Sequence, residues 1–597
     1  MIHDPRATSA HTFHIPVMGT GFTIDTPLRV ARYGIRSVIS LVDDVLIEQL
    51  RRYHADRNGE PYEPIDARDE DSRAHRITAY LDLLHRLVDH QSRALREAPF
   101  EPGSEITRYF ELLPDGPLRT HYCDFLACEP GARRDALEAA LREAARPGSI
   151  DVNIMTKLNR ERYRDGELLP PEHRDGTSAL RGYANSLLCS AIVFSAGLNP
   201  QLYSYMTQFD DFLPDGDALP RKGIVLKVSD FRSALVQSRF LAKNGLWVGE
   251  FRIESGLNCG GHAFASKGEL SGLILEEFSS RRAELHETML ALYEKGLRKH
   301  DRVLPSVPPA FEVTYQGGVG TAFEHRMLRE RYGLDRTGWA TPFMFVPEVT
   351  CVDDAHLERL CAAGSGDIYL SNASPMGIPF WNLRDSGSER SRRERIAAGK
   401  PGSACPKGFI RIDTEFTERP LCRASRAYQQ LKLAALDRTE PDAARRAALR
   451  EEVQAKSCIC HHLGGGALAK YGIDRAVPPA LCPGPGAAEF DRVLTLAELV
   501  GHIYGRGSVL ANAVDRSHVF LREAALYVDY LRGQVEAHTA GIQPMTGDAF
   551  DAFAKAVQAG LDYCRAHAAE LAGDGAADMT AGLDRLAADL QAIPPPA

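Results

Sequence analysis

Short apolar runs recur along the chain, each followed by a stretch of helical period, and this alternation restricts the fold more than any other feature. Ser37–Val42, Ser149–Thr156, Ala191–Ser195, Gly223–Val228, Leu246–Ile253 and Phe311–Tyr315 are six such runs. Several are apolar on successive residues, as in strands covered on both faces. The intervening pattern predicts helices over Ser178–Leu188, Pro200–Met206, Phe231–Lys243, 269–298 and Ala322–Tyr332. A first strand is expected within Phe13–Phe22, before a helix capped by Thr26 with Pro27 in its first turn. A closing strand is expected at Gly338–Thr341 and Phe343–Val346. About eight strands mostly joined by helices imply an α/β fold, a (β/α)8 TIM barrel with its ligand loops at the C-terminal strand ends. An open doubly wound sheet is the alternative, but no Gly-x-Gly-x-x-Gly follows the first strand.

Two regions depart from this rhythm. Residues 43–148 are polar, rich in Arg, Asp and Glu, and helical in pattern, so they are expected to form a helical insertion within a barrel spanning 13–385. Beyond Arg384 a Ser/Arg/Glu/Gly-rich connector opens a Cys-rich segment, 386–490. A helical region, 491–597, follows, with apolar faces at Leu494, Leu496, Leu499, Val500 and Ile503 and at Phe550, Phe553, Val557 and Leu561. These helices are expected to pack on the barrel or to form a homodimer contact.

The 597 residues carry a net charge of -9, so no basic excess exists to neutralise nucleic-acid phosphates. No apolar run approaches the ~18 residues of a membrane span. The N-terminal Met1-Ile-His-Asp-Pro-Arg has no basic region followed by an apolar core. A soluble, cytoplasmic protein is the expectation.

The stretch Glu254-Ser-Gly-Leu-Asn-Cys-Gly-Gly-His-Ala-Phe264 follows a predicted strand and precedes a predicted helix. Gly260 and Gly261 would let backbone approach a ligand and offer N–H groups to an anion. His262 is the side chain best suited to move a proton near neutral pH. A plain β–α turn with a solvated histidine is the alternative. Gly317, Gly318 and Gly320, with the Thr341 hydroxyl, form the kind of late-barrel loops that hold a phosphomonoester, or else a tight turn into a helix.

In order and wording these loops resemble the nitronate monooxygenase (2-nitropropane dioxygenase-like) family of FMN-dependent barrels, which includes flavin enoyl reductases. Pro16-Val-Met-Gly-Thr20 is similar to the family's first flavin loop, and Asn153-Ile-Met-Thr156 to its third strand. Ser255–His262 resembles its Gly-Gly-His loop. Gln316-Gly-Gly-Val-Gly320 and Trp339-Ala-Thr-Pro-Phe343 resemble its two phosphate segments, and Asp367–Ser371 through Arg384 its closing stretch. Ala340, Pro342 and Asn258-Cys259 depart from the pattern. The resemblance implies an FMN-dependent oxidoreductase, monooxygenase or reductase, acting on a small-molecule substrate. Met18, Gly19, Thr20, Asn153, Gly260, Gly261, Gly317, Gly318, Gly320 and Thr341 would contact FMN, and His262 would abstract a substrate proton. Lys157 and Lys227, near strand ends, would place a cation by the reduced flavin, or simply reach solvent. Glu254 could orient Lys227 or His262. Cys259 would act as proton donor or nucleophile if its pKa is depressed, and otherwise is an inert buried thiol. An enoyl-reductase-type flavoprotein and a non-catalytic flavin- or metal-binding assembly subunit are the alternatives.

Of the 12 cysteines, Cys405, Cys422, Cys458, Cys460 and Cys482 crowd into the Cys-rich segment, each in a turn context near Gly or Pro. Thiolates presented by such loops suit a [4Fe-4S] cluster, or a structural zinc. His461 or His462 would substitute for one member of the close Cys458-Ile-Cys460 pair. A cluster beside a flavin would imply an electron-transfer partner. The family lacks this segment, so the resemblance says nothing of it. Cys123, Cys128, Cys189, Cys351, Cys361 and Cys564 read as small buried apolar residues.

Overall fold

A computed structural model describes residues 10–596 apart from 165, 196, 259–266, 512–515 and 544. Eight parallel strands form its centre: β1 (Phe13–His14), β2 (Ser37–Ser40), β3 (Ile150–Met155), β4 (Ala191–Ser195), β5 (Gly223–Val228), β6 (Glu250–Glu254), β7 (Glu312–Gln316) and β8 (Arg336–Gly338). Their order is β1-β8-β7-β6-β5-β4-β3-β2. A parallel bridge from Ile15 to Ser37 joins the two ends, with Ile15 N donating to Arg36 O and Val38 N to Ile15 O. The sheet therefore closes into the expected (β/α)8 barrel, in which every strand edge is paired.

Alternation along the strands splits their side chains between the helical shell and the barrel interior. Toward the N-terminal end the interior is charged. Glu250 accepts from Arg252 (2.7 Å), Arg336 (3.1 Å), Arg36 (3.4 Å) and the Thr314 hydroxyl (2.7 Å). Burial alone would raise the Glu250 pKa, but Arg252, Arg336 and Arg36 together pull it below the ordinary carboxylate range. Val38, Ala191, Val193 and Val225 pack together as an apolar cluster alongside. The interior is thus filled, and ligand chemistry is left to the loops.

The eighth strand lies earlier than the sequence pattern predicts. Phe343–Val346 reads as apolar strand, yet Thr341–Phe345 is a 3-10 helix, and the ladder partner of β7 is Arg336–Gly338. The sixth strand begins at Glu250 rather than Leu246; Leu246, Trp247 and Val248 are buried outside the ladder. The helix predicted over 269–298 breaks into Ser271–Ser280 and Arg282–Leu297. The connector after Arg384 is largely a helix, Gly387–Ala397, capped by Ser386 accepting from Glu389 N.

The insertion is helical, with Asp44–Asn58, Ser72–Glu97, Glu105–Leu112, Pro117–Ala127 and Ala132–Ala144 between β2 and β3. Arg73 and Arg76 from its longest helix both pair with Asp44, at 2.6 and 3.0 Å. The C-terminal helices Leu496–Ile503, Val519–Thr539, Gly547–Ala566 and Ala576–Gln591 share one apolar core with barrel and insertion. Among the described residues no helix is long and apolar enough to cross a membrane.

Candidate active site

At the C-terminal strand ends the barrel interior becomes a row of polar side chains. Glu254, last in β6, uses one oxygen, Oε1, to accept from Lys227 Nζ on β5 (2.7 Å), Gln316 Nε2 on β7 (2.6 Å) and Asn258 Nδ2 (2.5 Å). Of the two partners expected for Glu254, Lys227 is thus in contact with it. Gln316 Oε1 lies 3.4 Å from His14 Nε2 on β1, although β8 stands between them. Gly338 makes this reach possible: a Cβ there would sit 2.7 Å from Gln316 Cβ and 2.9 Å from the His14 ring. Burial, with Arg252 beside it, lowers the His14 pKa well below the usual imidazole range, so the ring is neutral. Asn153, on β3, is buried; its Nδ2 meets Ser195 Oγ at 3.5 Å, and its Oδ1 has no hydrogen-bond partner among the described residues.

The loops after β7 and β8 line one cleft. Gly317, Gly318, Gly320 and Thr341 all contribute, joined by Asn258 and by Glu489 and Arg522 from the C-terminal regions. It is small, about 20 Å³, with room for one or two water-sized groups. Gly317 (φ +113°) and Gly318 (φ +82°) are required by packing as much as by any ligand. A Cβ would lie 2.6 Å from Ser255 Oγ at the first and 2.5 Å from Leu257 Cδ1 at the second. Thr341 donates its hydroxyl hydrogen to Pro483 O at 2.7 Å, so it keeps only acceptor capacity for the cleft. Cation chemistry comes instead from Arg522, which pairs with Glu489 at 2.6 Å and whose pKa is lowered by burial. Arg516 beside it is spent on Glu324 (2.6 Å), Glu489 (2.8 Å) and Gly318 O (2.8 Å).

The first loop is covered by the Cys-rich segment. Met18 and Thr20 are buried, and Thr20 Oγ1 donates to Cys460 O at 3.3 Å. A Cβ on Gly19 would meet Leu463 Cδ2 at 3.3 Å. Lys157 is exposed beyond β3 and takes no part in the polar row. Cys422 and Cys460 pack with Val42, Leu158 and Phe409, which places the thiols over the ends of β2 and β3. Cys458 hydrogen-bonds Cys405 and Cys460 and feels the charge of Cys422, which in turn feels that of Cys405. Burial pushes the Cys422 thiol up to about 11. Cys482 stands apart, on the side where the next residue, Pro483, meets Thr341. Among the described residues no three His, Cys, Asp or Glu side chains converge as metal ligands. Cys405, Cys422, Cys458 and Cys460 nevertheless lie close enough to influence one another's titration.

Of the six cysteines expected to be buried, only Cys351 and Cys564 are; Cys123 is exposed and Cys128, Cys189 and Cys361 are half-buried. Cys351 donates to the buried Asp25 at 2.8 Å. Cys259, Gly260, Gly261 and His262 lie outside the described residues, and the segment resumes at Lys267.

No family model matches the chain. No curated protein matches it either. A solved structure, the enoyl reductase domain of MlnA from the macrolactin biosynthesis cluster of Bacillus amyloliquefaciens, is 15% identical, with 71% of this chain and 88% of that one covered at a TM-score of 0.33. A likeness that weak does not bear on activity, and the barrel stands on its own strand order.

His14, Gln316 and Arg522 are functional candidates that the sequence pattern did not single out. His14 and Gln316 carry an inward-pointing polar group at a strand end, a signal visible only once β1 and β7 are known to be two strands apart in a closed barrel. Arg522 reaches the cleft from a helix about 200 residues beyond it in sequence, and no local signal marks it.

Proposed function

We propose that the barrel mouth binds FMN and that the protein is an FMN-dependent oxidoreductase acting on a small organic molecule. The polar row Lys227–Glu254–Gln316 on adjacent strand ends carries this reading, with the unpaired Asn153 amide oxygen two strands away. A buried acceptor without a partner costs roughly 1–3 kcal/mol, so Asn153 Oδ1 suits a ligand N–H such as a flavin ring supplies. The Lys227 ammonium, held by Glu254, suits the edge of the ring that gains negative charge on reduction. Arg522 and the glycine loops suit the phosphate end, since the cleft takes a small polar group and not a three-ring system. When bound, FMN would supply the two-electron chemistry.

The chain's own residues then have separate tasks. Glu254 fixes Lys227 by charge and Gln316 by hydrogen bonding. His14, neutral and buried, is unsuited to hold a positive charge and stays a hydrogen-bonding group. Proton transfer at the substrate is assigned to His262 by the family resemblance.

Titration with FMN and with riboflavin, read by quenching of flavin fluorescence, tests it. FMN should bind more tightly by roughly tenfold or more, the worth of a charge-assisted phosphate contact. Replacing Arg522 by Met should remove that difference while leaving riboflavin binding intact. Equal binding of the two by the unaltered protein, or binding of neither, would refute the assignment.

A further inference from the structure

The thiols gathered over the ends of β2 and β3 come from three loops, and backbone bonds hold those loops in place. Ser403 N donates to Ala424 O at 2.9 Å and Arg426 N to Ser403 O at 3.0 Å, which ties the Cys405 loop to the Cys422 loop. Ser457 N donates to Ala373 O at 2.9 Å, and Gln429 Nε2 to Lys456 O at 3.1 Å, which fixes the approach to Cys458. Cys422, Cys458 and Cys460 are buried and Cys405 is half-buried.

The surroundings suit more negative charge than neutral thiols carry. Sulfur in a thiol is a weak acceptor. Yet the Lys407 and Gly408 N–H groups are directed at Cys405, the second at 3.3 Å, and those of Ala424 and Ser425 at Cys422. Arg411 acts on Cys422, and Arg395 feels both Cys458 and the repulsion of Arg426. Arg395 and Arg426 are half-buried, and the Nε atom of each is buried with no hydrogen-bond partner among the described residues. Two guanidinium groups pressed together beside sulfur, each with an unspent N–H, lack a counter-charge. N–H donors and cations around sulfur are what offsets the charge of a thiolate-ligated metal.

We propose that Cys405, Cys422, Cys458 and Cys460 form a tetrathiolate metal centre, taking one zinc ion or a [4Fe-4S] core. The four thiols lose four protons, and each sulfur then donates an electron pair to the metal with no change in its own oxidation state. Four thiolates around Zn²⁺ or around a [4Fe-4S]²⁺ core leave a charge of about -2 in either case. Arg395, Arg411 and Arg426 are placed to meet it. As the side chains stand, Cys458 hydrogen-bonds Cys405 and Cys460 and no three groups converge as ligands, which is the arrangement of protonated thiols. Loss of the protons removes those hydrogen bonds and frees the sulfurs to turn onto a cation. Cys482, on the side of Thr341, is not a member of the set.

The full chain, purified without oxygen, is tested by counting zinc, iron and acid-labile sulfide. The expected result is about one zinc, or about four iron with about four sulfide, per chain. After chelation, zinc alone and iron with sulfide are offered separately to the reduced protein, which tells the two occupants apart. Cys405→Ser and Cys458→Ser should each lower bound metal at least roughly tenfold, and Cys482→Ser should leave it unchanged. Arg395→Met should weaken retention against a chelator by roughly tenfold. Bound metal should also protect Cys405 and Cys458 from oxidation by diamide. Reduced protein that takes up neither zinc nor iron with sulfide would overturn the proposal. So would metal lost with Cys482 but kept without Cys405 or Cys458, or equal retention in every variant. Should a serine variant fail to fold, the metal count of the unaltered protein and that of Cys482→Ser decide. No flavin enters these counts, so their outcome is separate from that of the FMN reading.

Discussion

The triple acceptor at Glu254 allows a quantitative test of the polar row. In Glu254→Gln the amide oxygen can still face Lys227, Gln316 and Asn258, but the charge is gone. Hydrogen bonds to a charged group are worth ~1.5–3 kcal/mol against ~0.5–1.5 for neutral pairs. Three donors at 2.5–2.7 Å therefore lose about 3 kcal/mol between them before screening. The Glu254 side chain is 25% exposed and that of Lys227 10%, which reduces the expected loss to about 2 kcal/mol. Lys227→Met removes one donor and leaves Glu254 two, so about 1–2 kcal/mol is expected. Because each single change already breaks the ion pair, the double variant should cost less than the sum, with a coupling of about 1 kcal/mol. Urea unfolding of the four proteins at one pH gives the cycle. Effects that add within about 0.3 kcal/mol would mean that Lys227 and Glu254 do not touch, and the row would fail as a unit.

Other expectations follow from the same geometry. Glu250→Gln leaves Arg36, Arg252 and Arg336 around a neutral group in the barrel interior, and should cost about 3–5 kcal/mol, read as a fall in thermal midpoint and soluble yield; a loss under about 1 kcal/mol would show that the charged layer is not a unit. Since the Glu250 pKa is depressed from 4.5, its contribution is present above that value and lost as pH falls below it, so the Gln variant should lose less stability than the unaltered protein in acid. Mild oxidation with diamide should join Cys405 to Cys458, which share a hydrogen bond, and peptide mapping without reduction would find the bridge; Cys482 in its place would contradict the arrangement.

The parts of the fold legible in the sequence are strands with a run of apolar shell-facing residues, β3 (Ile150–Met155) included although its Asp151 pairs with Arg36 in the barrel interior. The sequence runs coincide with β4 (Ala191–Ser195) and β5 (Gly223–Val228) because shell and interior positions are both hydrophobic there. β8 was missed because its inward positions are Arg336, paired with Glu250, and Gly338, which the row above leaves no room to enlarge. Such a strand has no apolar run to read. Phe343–Val346 is hydrophobic for a different reason, as a 3-10 turn packed in the core.

The candidate site was legible one loop at a time but not as an assembly. Gly317, Gly318, Gly320 and Thr341 do meet in one cleft, and Lys227 does meet Glu254. Lys157, equally near a strand end, lies two residues beyond the last residue of β3 and is exposed, outside the alternation that places Lys227 inward. The covering of the first loop by Cys460–Gly464, and the arrival of Arg522 from a C-terminal helix, depend on contacts hundreds of residues apart. No local pattern encodes those.

The most direct test of the central claim is the absorption spectrum of the pure protein, followed by denaturation and identification of what is released. Flavin bands in the bound protein and about one FMN released per chain are the expected result. A colourless protein that releases no flavin, and takes none up when FMN is supplied, would contradict it.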